Sequence, residues 1–187
     1  NRFNKKDKTF TRYHLKERYD KNKNKIKKIN SIQEDEKGRI WLGTEAGLLF
    51  FKPKQKQTGF NSILDINRSG LRDKIVSVIA KDFSNILWIG TWNYDEKGLY
   101  KIIIDNRKLK LYSCNQYDSP KLSGYDILSI SMDRKNNLLL GTRGNGLNIY
   151  DREDQSVKVF TKNSTNNNLP DNTIYEILTL HNQDIAI

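Results

Sequence analysis

Short apolar runs alternate along this chain with polar, turn-forming stretches, and three of the runs stand in equivalent contexts. Ile40-Trp41-Leu42, Ile86-Leu87-Trp88-Ile89 and Leu138-Leu139-Leu140 each end on a Gly-Thr pair. Continuous apolar runs without polar alternation predict strands buried on both faces. Each is preceded by a turn that opens on Asp35, Asp82 or Asp133 and carries Gly38, Asn85 or Asn136 three positions before Trp41, Trp88 or Leu139. Asp bonds its own backbone two residues on, and Gly and Asn tolerate a positive φ. The turn is therefore tight, and the run before it is the partner strand of a hairpin, residues 29–34 and 40–44 in the first copy. Gly43, Gly90 and Gly141 read as points where a side chain would obstruct a neighbouring backbone.

A third strand is expected over residues 47–51, 98–102 and 146–150, and a more polar, outer fourth strand around 58–61, 109–113 and 157–161. A polar connection ending in Leu71-Arg72-Asp73-Lys74, Leu122-Ser123-Gly124-Tyr125-Asp126 or Leu169-Pro170-Asp171-Asn172-Thr173 leads to the next hairpin. The glycines of the Gly-Thr pairs lie 47 and 51 residues apart, close to the period of about 40 to 50 residues at which four-stranded propeller blades recur. The predicted fold is all-β, a partial β-propeller of about four four-stranded blades. Its units are the end of a blade plus a basic connection (1–28), three blades (29–74, 75–126, 127–173) and the start of another (174–187). Asn1-Arg2-Phe3-Asn4 and the stretch from Thr9 to Tyr13 match third and fourth strands, and Ile185-Ala186-Ile187 aligns with Leu138-Leu139-Leu140. Both ends thus fall inside a blade, so a longer parent is expected, and apolar sheet faces would be open at the ends.

Composition fits a folded domain, with 36% hydrophobic and 10% aromatic residues. No apolar run is long enough to span a membrane. The single Cys114 rules out an intrachain disulfide. The net charge is +11, and residues 1–28 hold most of it, twelve Lys and Arg against Asp7, Glu17 and Asp20. The Lys/Asn-rich stretch from Lys16 to Lys28 reads either as a solvated loop or as a basic rim that attracts an acidic ligand. Nucleic acid fits less well, because only Tyr19 is interleaved there as a stacking platform.

The repeated pattern of inner strand, D-x-x-G/N-x-(x)-I/L-W-I/L-G-T, short loop and G-L-x-x-Y/F resembles the two-component regulator propeller repeat of the periplasmic sensor regions of hybrid two-component systems in gut Bacteroidetes. The resemblance implies seven-bladed propellers, usually two in tandem, followed by an immunoglobulin-like domain, one transmembrane helix, a histidine kinase core and a DNA-binding output. It also implies a periplasmic sensor, homodimeric when intact, that detects oligosaccharides and switches on polysaccharide-utilisation genes, with membrane contact only through the parent chain. The chain departs from the pattern at Leu139, where Trp is expected, and in an insertion over residues 92–97 before Gly98.

Catalysis has little support in the residues. His14 and His181 fall in an outer connection and a hairpin turn, and one Asp per repeat at the same turn marks structure rather than a catalytic carboxylate. No ligand spacing for a metal and no phosphate-binding glycine motif occur, so neither metal nor cofactor is expected. Recognition should lie where the repeats differ, on loops held by a rigid scaffold. The face made by the loops between second and third strands and by the blade-to-blade connections gathers Trp92, Tyr94, Asp95, Arg143, Asn145, Tyr125, Arg72 and Asn172 as ligand-binding candidates. Aromatic faces suit pyranose rings, Asn and Asp suit hydroxyls, and Arg suits a carboxylate or sulfate. An oligosaccharide, neutral or acidic, is the expected ligand. A structural or protein-interaction propeller is the alternative, and a polysaccharide lyase or hydrolase trails both.

Overall fold

In the computed structural model the described residues are 2–12, 26, 28–53, 61–62, 71, 74–92, 98–105, 108–113, 121–164, 169–182 and 184–187. Three four-stranded antiparallel sheets carry the architecture. The first comprises β3 (Ile29–Glu34), β4 (Ile40–Thr44), β5 (Gly47–Phe51) and β6 (Asn61–Ser62). The second comprises β7 (Ile75–Lys81), β8 (Leu87–Trp92), β9 (Leu99–Asp105) and β10 (Lys108–Ser113). β11 (Ile127–Met132), β12 (Leu138–Thr142), β13 (Leu147–Tyr150) and β14 (Val157–Phe160) form the third. A hairpin of β1 (Arg2–Asn4) and β2 (Thr9–Thr11) precedes them, and one of β15 (Leu178–Thr179) and β16 (Ile185–Ala186) follows. The strand order within each full sheet is sequential, as a four-stranded meander requires. The arrangement is propeller-like, and the described strands do not close into a ring.

The turns form for the reason their residues suggest. Gly38, Asn85 and Asn136 all adopt a positive φ, 68°, 61° and 65°. The carboxylate of the opening Asp satisfies the backbone around them: Oδ1 of Asp35 accepts from Lys37 N and Arg39 N, that of Asp82 from Ser84 N and Ile86 N, and that of Asp133 from Lys135 N and Asn137 N. In two turns Oδ2 also accepts the indole N–H of the following Trp, Trp41 at 2.7 Å and Trp88 at 2.9 Å. Where Leu139 replaces Trp, the Asn137 side chain takes that position at 2.9 Å. Trp41, Trp88 and Leu139 occupy equivalent buried places.

Successive sheets pack face to face through alternate residues. Trp41 and Leu48 of the first sheet meet Val76, Ile79, Leu87, Ile89 and Tyr100 of the second. The opposite face of the second sheet, with Trp88 and Leu99, meets Ile127, Leu138 and Leu140 of the third, and Leu139 and Leu147 meet Ile174 and Ile177 before β15. The inner strands β3, β7 and β11 stand side by side, each with a bulge at the same place, at Asn30, Ser77 and Leu128. Bulge side chains stitch neighbours together: Asn30 Nδ2 donates to Val76 O at 3.0 Å, and Ser77 Oγ donates to Ile127 O. The glycines of the Gly-Thr pairs make room for the chain that enters the next hairpin. A Cβ on Gly43 would lie 2.7 Å from Val76 Cγ1, one on Gly90 2.9 Å from Ile127 Cγ2, and one on Gly141 2.8 Å from both Ile174 Cγ2 and Ile174 O. The obstruction comes from side chain as much as from backbone, which refines the sequence expectation.

The connections contribute more to the core than their polarity suggests. Leu71 is fully buried in the first inter-sheet core, and Leu122 and Leu169 pack in the next two, each five residues before the core residue Val76, Ile127 or Ile174. At the outer face of the first sheet Leu42 and Leu49 cluster with Ile40 and Phe51, and Ile32, whose counterpart Ile79 is buried, is 64% exposed. Leu178 and Tyr175 are exposed at the other end. The expected fourth strand near 58–61 falls mostly outside the described residues, as do His14, Cys114 and most of the basic stretch.

Candidate functional site

The face at the β8–β9 and β12–β13 loops brings four of the sequence candidates together. Trp92 ends β8 and is half-buried, and Arg143 begins the β12–β13 loop with its Cζ 4.4 Å from the Trp92 ring centroid. Arg143 N donates to Asp126 O at 2.9 Å, which ties this loop to the connection that leads into β11. Tyr125 in that connection presses its backbone against Gly98, where any Cβ would collide with the Tyr125 carbonyl. Asn145 lies under Gly124: a Cβ there would stand 2.6 Å from Asn145 Oδ1, and Ser123 Oγ donates to Asn145 O at 2.7 Å.

The loops hold these positions because each Gly-Thr pair anchors its own loop. Thr44, Thr91 and Thr142 donate their hydroxyls to Gly47 O, Gly98 O and Gly146 O, at 2.8, 3.2 and 2.7 Å. A β-branched, hydrogen-bonding residue at this place closes the loop whatever its length, which is how β8 and β9 accommodate the insertion. Gly144 has φ +80° and nothing within 4 Å of a Cβ built on it, so the tip of the β12–β13 loop faces open space between Arg143 and Asn145.

Asn148 is a positioning residue that the sequence pattern did not reveal. It is fully buried in β13 at the place of Leu49 and Tyr100, accepts Ser123 N at Oδ1 (2.8 Å) and donates from Nδ2 to Ser123 Oγ (2.7 Å). An Asn where the other repeats have an apolar or aromatic residue was the available signal.

Asn172 does not join the group as a free amide. It sits in the next connection, its Oδ1 accepting Lys162 N at 2.7 Å and its carbonyl accepting Gly146 N at 2.8 Å. Tyr94, Asp95 and Arg72 lie outside the described residues. His181 is in the β15–β16 turn, as expected, where its carbonyl accepts from Arg134. Among the described residues no group of three or more His, Cys, Asp and Glu is placed to hold a metal ion, and no helix is long and apolar enough to cross a membrane.

Asp35 shows what these turns do to a carboxylate. Burial pushes its pKa up, but the bonds from the Trp41 indole and from the side chain and backbone of Arg39 outweigh burial and hold it below the ordinary Asp value. Arg39 Nε is 2.5 Å from Asp35 Oδ2, a buried pair at the hairpin end, far along the strand from the loop face. The carboxylates of the turns therefore belong to the scaffold.

Residues 25–46 match the family model described as "Two component regulator propeller". This stretch is the first hairpin, with its Asp turn, Trp41 and Gly-Thr pair. A search of the curated proteins gave no match. Among solved structures, the fold is similar to the extracellular domain of a putative one component system from B. thetaiotaomicron, with TM-score 0.63 and 23% identity over 84% of this chain. It is equally similar to the extracellular domain of a putative hybrid two component system from the same organism, with TM-score 0.63 and 24% identity over 83% of this chain. The chain spans 20% of the length of each. Virginiamycin B lyase from Staphylococcus aureus shares the fold more loosely, with TM-score 0.53 and 16% identity over 84% of this chain and 47% of that one.

Proposed function

We propose that this chain is part of the ligand-sensing extracellular region of a hybrid two-component signalling protein, facing the periplasm, and that it contributes a glycan-binding face. Its sheets are, on this reading, successive blades of a larger, seven-bladed propeller. The observation that carries the proposal is the convergence of Trp92, Tyr125, Arg143 and Asn145 on one face of the stacked sheets. An arginine held over an indole, with an amide on the same loop and both fixed by a rigid scaffold, suits a polar, hydroxylated ligand. The regulator propeller match over 25–46 and the likeness in fold to two extracellular sensor-system domains support the signalling context. Recognition rather than glycan cleavage, which needs a pair of carboxyl groups flanking the scissile bond, is the role we read for this face.

Calorimetry of the full-length protein against a panel of oligosaccharides tests this. A glycan should bind, and Trp92→Ala, Tyr94→Ala and Arg143→Ala together should abolish binding while leaving the β-sheet circular dichroism intact. Undiminished affinity in the triple variant would refute the proposed face.

A further inference from the structure

Arg143 differs from the other arginines of the sheets in what its guanidinium meets. Arg39 gives Nε to Asp35, Arg134 donates to the His181 carbonyl, and Arg152 reaches Asp82. No carboxylate or carbonyl among the described residues accepts from the Arg143 side chain. Its guanidinium is instead stacked over Trp92, with Cζ 4.4 Å from the centroid, and the residue is exposed. Its backbone is fixed separately, by the 2.9 Å bond from Arg143 N to Asp126 O. A guanidinium resting on an aromatic face loses rotamer freedom before any ligand arrives. It still keeps its in-plane N–H groups for an acceptor at its rim.

We propose that the ligand of this face carries an oxyanion, the carboxylate of a uronic acid or a sulfate ester, which the Arg143 fork binds. Trp92 is then a positioning residue that fixes the guanidinium, not a platform for a pyranose ring. The inference rests on the reading of this face as a glycan site. Bidentate Arg–oxyanion pairs are the strong, geometrically specific form of charge-assisted hydrogen bond, and pre-stacking lowers the cost of ordering the side chain. The open space at Gly144, next to Arg143, leaves room for the anion's substituent.

The test is calorimetry on the full-length protein with paired probes: oligogalacturonate and its methyl ester, a sulfated oligosaccharide and its desulfated twin, and inorganic sulfate alone. An acidic member should bind about tenfold or more tightly than its neutral twin. Arg143→Gln, an exposed change that leaves the fold intact, should erase that preference. Trp92→Phe, which keeps a ring under the guanidinium, should retain most of it, and Trp92→Ala should lose it although Arg143 remains. Equal affinity for both twins, or discrimination unchanged in Arg143→Gln, would overturn the oxyanion inference and leave the glycan reading standing. Inorganic sulfate binding as tightly as the sulfated sugar would uphold Arg143 as an anion site and sink the glycan reading. Absence of binding by every probe would overturn both.

Discussion

Arg152 reaches from the third sheet to Asp82 in the second, placing Nη1 2.7 Å from Asp82 Oδ2 and its Cζ 5.4 Å from the Trp88 ring centroid. In the first sheet Arg39 makes the same two contacts with Asp35 and Trp41, but from within the turn itself. One chemical solution, a buried carboxylate shared by an indole and a guanidinium, is thus reached from two different places in the chain. The version with Arg152 also locks one sheet to the next.

Asp82→Ala should therefore cost more than an ordinary turn substitution. It strands the Trp88 indole N–H and the amides of Ser84 and Ile86 and takes from Arg152 its carboxylate partner, leaving only the longer bond to Asn136 O. A loss of about 3 kcal/mol or more is expected, against about 1 kcal/mol for Arg152→Ala, whose side chain is partly exposed. The double variant in a denaturant titration should show clear coupling. Strict additivity would mean that the pair does not act as a unit.

Trp88 contributes both volume and a hydrogen bond, and the two can be separated. Trp88→Ala should cost about 3 to 5 kcal/mol through the cavity left in the second inter-sheet core. Trp88→Phe keeps most of the volume and loses the donor, so about 1 to 2 kcal/mol is expected. Equal losses for Phe and Ala in urea unfolding would show that packing is not the main term.

The depressed pKa of Asp35 makes a pH-dependent contribution of definite sign. A carboxylate with a folded pKa below its unfolded value stabilises the fold above the unfolded pKa, and that stabilisation disappears as pH falls through the folded one. Wild type should therefore exceed Asp35→Asn in thermal midpoint at neutral pH, and the gap should narrow as pH falls from about 5 towards 2. A gap independent of pH over that range would show that the charge on Asp35 is not what stabilises the turn.

Gly141→Ala tests the close approach of successive sheets. Its new methyl would collide with Ser129 Oγ and meet the Ile174 backbone oxygen at 2.8 Å, and that oxygen cannot move without shifting the segment that leads into β15. About 1 to 3 kcal/mol of overpacking is expected. At Gly144 the space is open and only the positive φ opposes Ala, so about 1 kcal/mol should be lost. The reverse order in melting experiments would refute this account of the Gly-Thr pairs.

The hairpins were legible because turn chemistry and apolar runs are local and recur three times. Gly38, Asn85 and Asn136 adopt the positive φ that their residue types allow. What a one-dimensional pattern cannot carry is contact between repeats. Arg152 is 70 residues from Asp82, and no spacing rule links them. Leu71, Leu122 and Leu169 stand in otherwise polar connections, yet each fills an inter-sheet core. At the candidate face, the irregular insertion pointed to Trp92, but its partner was invisible until the loops were placed. The stack on Arg143 changes the role expected of the ring.

Asn148 links the scaffold to that face and gives the last prediction. Its amide bonds both the N–H and the hydroxyl of Ser123, at 2.8 and 2.7 Å, and Ser123 in turn holds the Asn145 carbonyl. Asn148→Leu supplies the residue that the first sheet has at this place, Leu49, so the strand and its burial should persist. The Ser123 N–H then loses its acceptor in a part-buried position, which costs about 1 to 3 kcal/mol. The penalty should be concentrated in the connection that carries Tyr125 and Asp126, because the sheet's own ladder is untouched. Hydrogen exchange should accelerate at Ile127 N and Arg143 N, both bonded to carbonyls of that connection, while amides paired within β12 and β13 stay protected. Uniform acceleration across the third sheet would mean that Asn148 supports the strand and not the loop. If exchange is confined to the connection but glycan affinity is unaltered, Tyr125 does not belong to the binding face.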